Sequence, residues 1–135
     1  PAVPGRMPVV FDTNVFVSAL TFPGGRGDQA LERVIEGPDS LAISKAIIDE
    51  VLIVLARKFA RDREELARVG VFLHELADVV EPSQSIDVLA DPPDNRILEC
   101  AVAADAQTIV TGDRAMLALE DYQGTRIVSL REYLG

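Results

Sequence analysis

Short apolar runs alternate with longer amphipathic segments along this chain of 135 residues. The short runs are rich in β-branched residues and predict buried strands at 8–12, 41–44 and 126–129, and a strand followed by a turn at 108–113. The longer segments carry apolar residues at helical spacing and predict helices at 13–20, from Asp28 to about Gly37, from Ser44 to about Lys58, at 62–78 and at 91–104. This alternation predicts an α/β sandwich with a mainly parallel sheet.

Capping and turn residues set the expected limits of these elements. Asp28 and Ser44 are predicted helix N-caps, because short polar side chains satisfy the first backbone N–H groups of a helix. The Pro and Gly content of 21–27 predicts a loop. A short helix is expected after 113, and a last helical turn at 129–134.

The length of the chain suits one compact domain. We assign this domain to residues 8–133 and expect 1–7 to be a disordered or expression-derived lead-in, with Met7 as a candidate natural start. No apolar run approaches the roughly 20 residues of a membrane helix. The only cysteine, Cys100, cannot form an internal disulfide. These features predict a cytoplasmic protein that does not enter a membrane.

The formal net charge of −9 argues against a general polyanion-binding protein, because phosphate contacts need Lys and Arg. That objection weakens if some of the acidic residues hold metal ions. The position of the acids along the chain therefore decides how the charge is interpreted.

Acidic residues follow or flank the predicted elements where a site would form. Asp12 ends the first strand and Asp113 lies just past a later one, so both are expected at the carboxyl edge of a parallel sheet, where open α/β sheets place their sites. Asp94 begins a helix, and Glu50 lies about two turns into another. We therefore expect four carboxylates to converge.

Each acid also has a structural interpretation. Asp12 and Asp113 are both compatible with N-caps, and Asp94 with a residue that complements a helix dipole. Glu50 is harder to explain in this way, because no cation lies three or four residues from it, whereas Asp49 has Lys45. A carboxylate beside an apolar helix stripe is costly to bury unless its charge is compensated, and a metal ion would do so.

Four segments in this order resemble the PIN domain family, in the branch related to VapC-type toxins of toxin–antitoxin systems. They are DTN at the end of the first strand, Glu50 in SKAIIDEVLIVLARK, DPPDNRILECA, and IVTGDRAML. The resemblance implies a three-layer α/β/α fold and a metal-dependent ribonuclease. It also implies an acidic metal site of Asp12, Glu50, Asp94 and Asp113, supported by Asn14 and Thr111.

The chemistry of such a site needs only oxygen ligands. Mg²⁺ and Mn²⁺ prefer carboxylate and water oxygens, and they activate water for attack on a phosphodiester. The cations nearest the acids in sequence, which we expect to contact RNA, are Arg26, Arg96 and Arg114. The family resemblance further implies a homodimer and a cognate antitoxin that blocks the acidic groove.

Two alternatives remain open from the sequence. The family branch often carries a further acid where this chain has Ala115, which favours a weakly active or inactive PIN scaffold that binds RNA or a protein partner. An aspartyl-phosphate protein would also place an Asp at a strand end, but it needs a downstream Lys, and this chain has none after Lys58. Retention of all four acids favours the ribonuclease.

Overall fold

The structure is a computed structural model that describes residues 7–135. Most of the predicted lead-in, residues 1–6, lies outside the described part of the chain. Met7 is the first residue of the first strand.

Strands and helices alternate through most of the described chain. The strands are β1 (Met7–Phe11), β2 (Asp39–Ile43), β3 (Asp78–Val79), β4 (Thr108–Val110), β5 (Asp121–Tyr122) and β6 (Thr125–Val128). The helices are α1 (Thr13–Thr21), α2 (Arg26–Glu36), α3 (Lys45–Phe59), α4 (Arg63–Leu76), α5 (Pro92–Ala104), α6 (Arg114–Leu117) and α7 (Leu130–Leu134). Across residues 7–135, none of these helices is long and apolar enough to cross a membrane.

The strands form one sheet in the order β3-β2-β1-β4-β6-β5. All neighbouring strands are parallel except β5, which pairs with β6 as an antiparallel hairpin. Helices flank this sheet, so the predicted α/β/α class is confirmed. Parallel strands need crossover connections, which is why the helices fall between them in the sequence.

Two predicted boundaries are wrong. Asp28 is not an N-cap, because α2 already begins at Arg26 after Gly25, and the Asp28 carboxylate instead accepts the N–H of Gly24 at 2.8 Å. The helix expected at 62–78 ends at Leu76, and Asp78–Val79 pairs with β2 as an edge strand. Strands of two residues, such as β3 and β5, carry no periodicity that a sequence pattern can reveal.

The central strands are buried on both faces and provide the rigid base of the site. Val9, Val10 and Phe11 of β1 are at most 1% exposed, and Ile109 and Val110 of β4 are fully buried. Strands covered by helices on both faces become continuous apolar runs, as they are in this sequence. Because these strands are tightly packed, the residues that follow them have little positional freedom.

Candidate functional site

The order of the sheet reverses between β1 and β4. The chain builds β2 and β3 on one side of β1, and then β4, β6 and β5 on the other side. The backbone N–H of Asp12 donates to the carbonyl of Val110 at 2.9 Å, so the pairing of the two strands continues to their carboxyl ends. Open α/β sheets bind ligands at such a topological switch point. Asp12 and Asp113 follow the two strands that meet there.

The Asp12 carboxylate does not serve as a helix cap. Asp12 occupies the N-cap position of α1 and is only 4% exposed, yet its side chain makes no capping hydrogen bond. Its Oδ2 atom instead accepts a 2.6 Å hydrogen bond from the hydroxyl of Thr111. Burial raises the pKa of Asp12, the hydrogen bond from Thr111 lowers it, and the charge of Asp113 raises it further. Helix capping therefore does not explain why a buried carboxylate stands at position 12.

Thr111 joins the two strand-end acids. It is fully buried, its hydroxyl donates to Asp12, and the same oxygen accepts the backbone N–H of Asp113 at 3.0 Å. Asn14, the other expected supporting residue, is exposed, and its side chain makes no hydrogen bond to these acids within residues 7–135. The geometry thus gives Thr111 a direct supporting contact and leaves Asn14 at the rim.

Asp113 combines a structural contact with a position in the acidic group. Its Oδ1 atom accepts the N–H of Met116 at 2.9 Å, so it caps α6 as the structural interpretation expected. Its charge also raises the pKa values of Asp12 and Asp94. The cap uses one carboxylate oxygen of Asp113, and the negative charge of Asp113 still acts on the other two acids.

Asp94 is the most strongly perturbed of these acids. It lies in the first turn of α5, where a helix dipole favours negative charge, and it is only 6% exposed. Burial, followed by the charges of Asp113, Asp12 and Asp91, raises the pKa of Asp94 to about 7. Since no cation pairs with Asp94 in the described part of the chain, its charge is uncompensated.

Glu50 lies farther from this group. It is half-buried in α3 and lines a cavity of about 180 Å³ together with Thr13, Pro92, Pro93 and Arg96. Thr13 follows Asp12 and Pro93 precedes Asp94, so the cavity lies beside the backbone that carries both acids. Glu50 is nevertheless absent from the charges that raise the pKa of Asp94. Asp12, Asp94 and Asp113 therefore interact electrostatically, and Glu50 lies in the wall of the neighbouring cavity.

The three candidate RNA-contacting arginines differ in their surroundings. Arg26 and Arg114 are exposed. The Nη2 atom of Arg96 donates a hydrogen bond to the carbonyl of Ile86 at 2.9 Å and forms an ion pair with the carboxylate of Glu99, also at 2.9 Å. Arg96 is therefore held by protein partners.

Asn95 is a polar residue of this region that the sequence analysis missed. Its buried side chain accepts the N–H groups of Val88 and Leu89 at 3.1 and 2.9 Å and donates to the carbonyl of Leu89 at 2.8 Å. These bonds tie the irregular segment before α5 to the first turn that carries Asp94. The available signal was an Asn at a helix start, where such side chains often bond to nearby backbone.

The donor chemistry of the acids fits a hard divalent cation. Every candidate ligand is a carboxylate, which is the ligand type that Mg²⁺ and Mn²⁺ prefer. Burial and neighbouring carboxylates raise the pKa values of Asp12 and Asp94, and a bound cation would favour their ionised forms. Within residues 7–135, no three acidic, histidine or cysteine side chains form a ready metal-binding cluster. Metal binding would therefore require the carboxylates to move closer together.

Comparisons with known proteins agree with this description. The profile of the PIN domain matches residues 8–115. The chain is 28% identical over 120 residues to the uncharacterized protein MJ1680 of Methanocaldococcus jannaschii, a match that covers 86% of this chain and 77% of that protein.

Solved structures share the fold. VapBC2 of Rickettsia felis, crystallised with a DNA fragment from its promoter, has a TM-score of 0.67 at 15% identity, covering 91% of this chain and 98% of the other. VapBC-1 of nontypeable Haemophilus influenzae has a TM-score of 0.67 at 18% identity, covering 93% and 99%. PAE2754 of Pyrobaculum aerophilum has a TM-score of 0.58 at 19% identity, covering 96% and 88%.

The raised pKa of Asp94 predicts a pH-dependent stability of the metal-free protein. The pKa of an unfolded Asp is about 3.9, whereas burial and neighbouring carboxylates raise the pKa of folded Asp94 to about 7. The folded state therefore holds a proton that the unfolded state has lost, and stability falls as pH rises between these values. Asp94→Asn removes this penalty, so its melting temperature should exceed that of the wild type by an amount that grows from pH 5 to pH 8, reaching roughly 5 °C.

Thermal unfolding in EDTA at several pH values measures this difference. Asp87→Asn is the matched control, because Asp87 is an exposed residue of the segment before α5. Its melting temperature should follow that of the wild type at every pH. If the difference in melting temperature between Asp94→Asn and the wild type is the same at every pH, the charge of Asp94 does not destabilise the fold.

Proposed function

The chain belongs to the PIN domain family, and we propose that it is a divalent-metal-dependent ribonuclease that hydrolyses RNA phosphodiester bonds. PIN domains are generally nucleases, and they generally use divalent metal ions. The observation that carries the proposal is the electrostatic coupling of Asp12, Asp94 and Asp113 at the switch point of the sheet. Three acids without a cation at one place lower the stability of the folded state, and metal binding would explain why they are there.

In this proposal Asp12, Asp94 and Asp113 hold Mg²⁺ or Mn²⁺, and Glu50 contributes from across the neighbouring cavity. The ion would supply an activated water and stabilise charge on the reacting phosphate. Thr111 is a positioning residue, because its hydroxyl holds the Asp12 carboxylate and the Asp113 backbone. Asn14 would support the site from its rim.

Local cations would hold the RNA against the negative charge of the protein. Arg26 and Arg114 are exposed and are our candidates for contacts to phosphate groups. Arg96 has its Nη2 atom occupied by Glu99 and Ile86, so it is a weaker candidate for that role. An enzyme that acts on cellular RNA in this way would work in the cytoplasm.

A PIN scaffold with weak or no activity is the second candidate. Ala115 stands on the exposed surface of α6, where an additional acid would add a ligand. The described residues also lack a preformed cluster of metal ligands. Such a scaffold would bind RNA or a protein partner without cleaving RNA.

We further propose that the protein is the toxin of a toxin–antitoxin pair, and a toxin needs a partner that restrains it. The shared fold with the VapBC proteins motivates the proposal of a cognate antitoxin. An antitoxin Arg placed near Asp94 and Asp113 would compete with metal through charge-assisted hydrogen bonds. Exposed apolar side chains on α3 and α4, including Ile53, Val71 and Phe72, support a homodimer.

Asp12→Asn tests the catalytic proposal. The substitution should lower Mn²⁺-dependent RNA cleavage by roughly 10²-fold or more, because it removes a charge that would act on the metal and the reacting phosphate. The melting temperature without metal should stay unchanged or rise, since one mutually repelling charge is lost. Cleavage of a fluorescent RNA with and without Mn²⁺ measures the effect.

Asp121→Asn is the matched control for the cleavage assay, because Asp121 is exposed in β5. It should cleave RNA at the wild-type rate. Full activity in pure Asp12→Asn protein would remove Asp12 from the mechanism. A wild-type protein that binds RNA without cleaving it in any metal would favour the scaffold.

Glu50→Gln tests whether the distant acid contributes to metal binding. A ligand that binds only the folded state raises its stability, by about 2.7 kcal/mol at a concentration of 100 times Kd. The variant should lose most of the rise in melting temperature that Mn²⁺ gives the wild type. Asp49→Asn is the control, because Asp49 is the neighbouring acid and pairs with Lys45 at 2.9 Å. An unchanged metal response in Glu50→Gln would assign Glu50 a structural role.

The association proposal is tested in solution. Light scattering should show a dimer, and adding the antitoxin should suppress RNA cleavage. A monomer at all working concentrations contradicts the dimer, and a complex that cleaves at the rate of the free protein contradicts the blocking mechanism.

A further inference from the structure

We propose that the cavity between α3 and the first turn of α5 binds one unpaired nucleobase of the RNA, next to the bond that is cut. This inference rests on the proposed ribonuclease function and adds a specificity site to it. The cavity is lined by Thr13, Ala46, Ile47, Glu50, Pro92, Pro93 and Arg96.

The size and walls of the cavity suit a single flat heterocycle. Its volume of about 180 Å³ is the volume that about six water molecules occupy in liquid water. The side chains of Ala46, Ile47, Pro92 and Pro93 make much of its wall apolar. A nucleobase has apolar faces and polar edges, and proteins that recognise RNA sequence bind such unstacked bases.

Arg96 provides a donor that has no partner in the protein. Its Nη2 atom is held at 2.9 Å by both Ile86 and Glu99, which fixes the guanidinium group. Its Nε–H is buried and lacks a hydrogen-bond partner within residues 7–135. Buried polar groups are almost always hydrogen-bonded, so this one calls for an explanation. Because the Arg96 side chain lines the cavity, a small rotation would bring this donor to an acceptor on the edge of a nucleobase.

The charges around the cavity favour a neutral ligand over a phosphate group. Arg96 is already paired with Glu99, whose side chain is only 11% exposed. Glu50 adds a further negative charge to the wall. A phosphate in the cavity would face the Glu50 carboxylate, and the only cation among the described residues of the wall, Arg96, is already paired, whereas a neutral base would not be repelled.

The positions of two lining residues in the sequence indicate which base of the RNA the cavity would bind. Thr13 directly follows Asp12, and Pro93 directly precedes Asp94. A phosphate that reacts at an ion held by these acids would therefore lie beside the cavity, and a base inside the cavity would belong to an adjacent nucleotide. Ala46, which is exposed, gives access to the cavity from the surface of α3.

Ala46→Leu fills the cavity without altering an acid or Arg96. Because Ala46 is an exposed helical residue, the added bulk should leave the fold intact. Ala67→Leu is the matched control, since Ala67 is also exposed on a helix but lines a separate groove on α4. Melting temperatures of both variants should stay close to that of the wild type.

The binding experiment uses the four common ribonucleoside monophosphates, with ribose phosphate as the probe that lacks a base. Calorimetry in Ca²⁺ should show that the wild type binds at least one nucleotide about tenfold more tightly than ribose phosphate, because the base adds apolar contacts with the cavity wall. Ala46→Leu should lose this preference, and Ala67→Leu should keep it. Arg96→Lys, which retains a cation but lacks the Nε–H donor, should weaken the preference.

Cleavage of a randomised RNA provides a second readout. The wild type should prefer one base at a position adjacent to the cut, and Ala46→Leu should lose that preference. Equal binding of ribose phosphate and all four nucleotides, or Ala46→Leu that behaves like the wild type in both assays, would overturn the inference. Base-dependent binding by a protein that does not cleave RNA would support the subsite while contradicting the proposed ribonuclease.

Discussion

The pairing of β1 with β4 is the constraint on which the rest of the site depends. These strands come from distant parts of the chain, yet their parallel register places Phe11 opposite Val110. The residues that follow, Asp12 and Thr111, then meet through a buried 2.6 Å hydrogen bond. Because both strands are fully packed, this contact is set by the core and not by flexible loops. Sites built on such rigid elements keep their geometry more precisely.

Electrostatic repulsion is the cost of this arrangement. Burial and neighbouring carboxylates raise the pKa of Asp94 to about 7, although its position at a helix start would favour its ionised form. Proteins tolerate such local conflicts mainly where function requires them, and the packed core offsets the loss of stability. The buried acids of the site thus lower the stability of the fold, whereas the surface ion pair of Lys45 and Asp49 stabilises a single helix.

Structural and functional roles overlap at these residues. Asp113 caps α6 and also contributes negative charge to the group, so the two interpretations of a strand-end Asp are not exclusive. Asn95 and Arg96 hold residues 86–89 against α5, and this stabilises the helix start that carries Asp94. The small cavity beside Glu50 is a product of the same packing. A base-binding role for it would link substrate choice to the elements that position the acids.

The sequence by itself determined the alternation of strands and helices, and with it the parallel sheet and the edge at which Asp12 and Asp113 would lie. Apolar periodicity is a local property, which is why this much could be predicted. Local patterns could not reveal the strand Asp78–Val79, since two residues become a strand only when β2 offers its hydrogen-bonding edge. Only the tertiary structure decided that Thr111 bonds to Asp12, that Asp94 is coupled to the other acids more closely than Glu50, and that Arg96 lines a cavity. Those contacts join residues far apart in the sequence, and their distances follow from how the whole core packs.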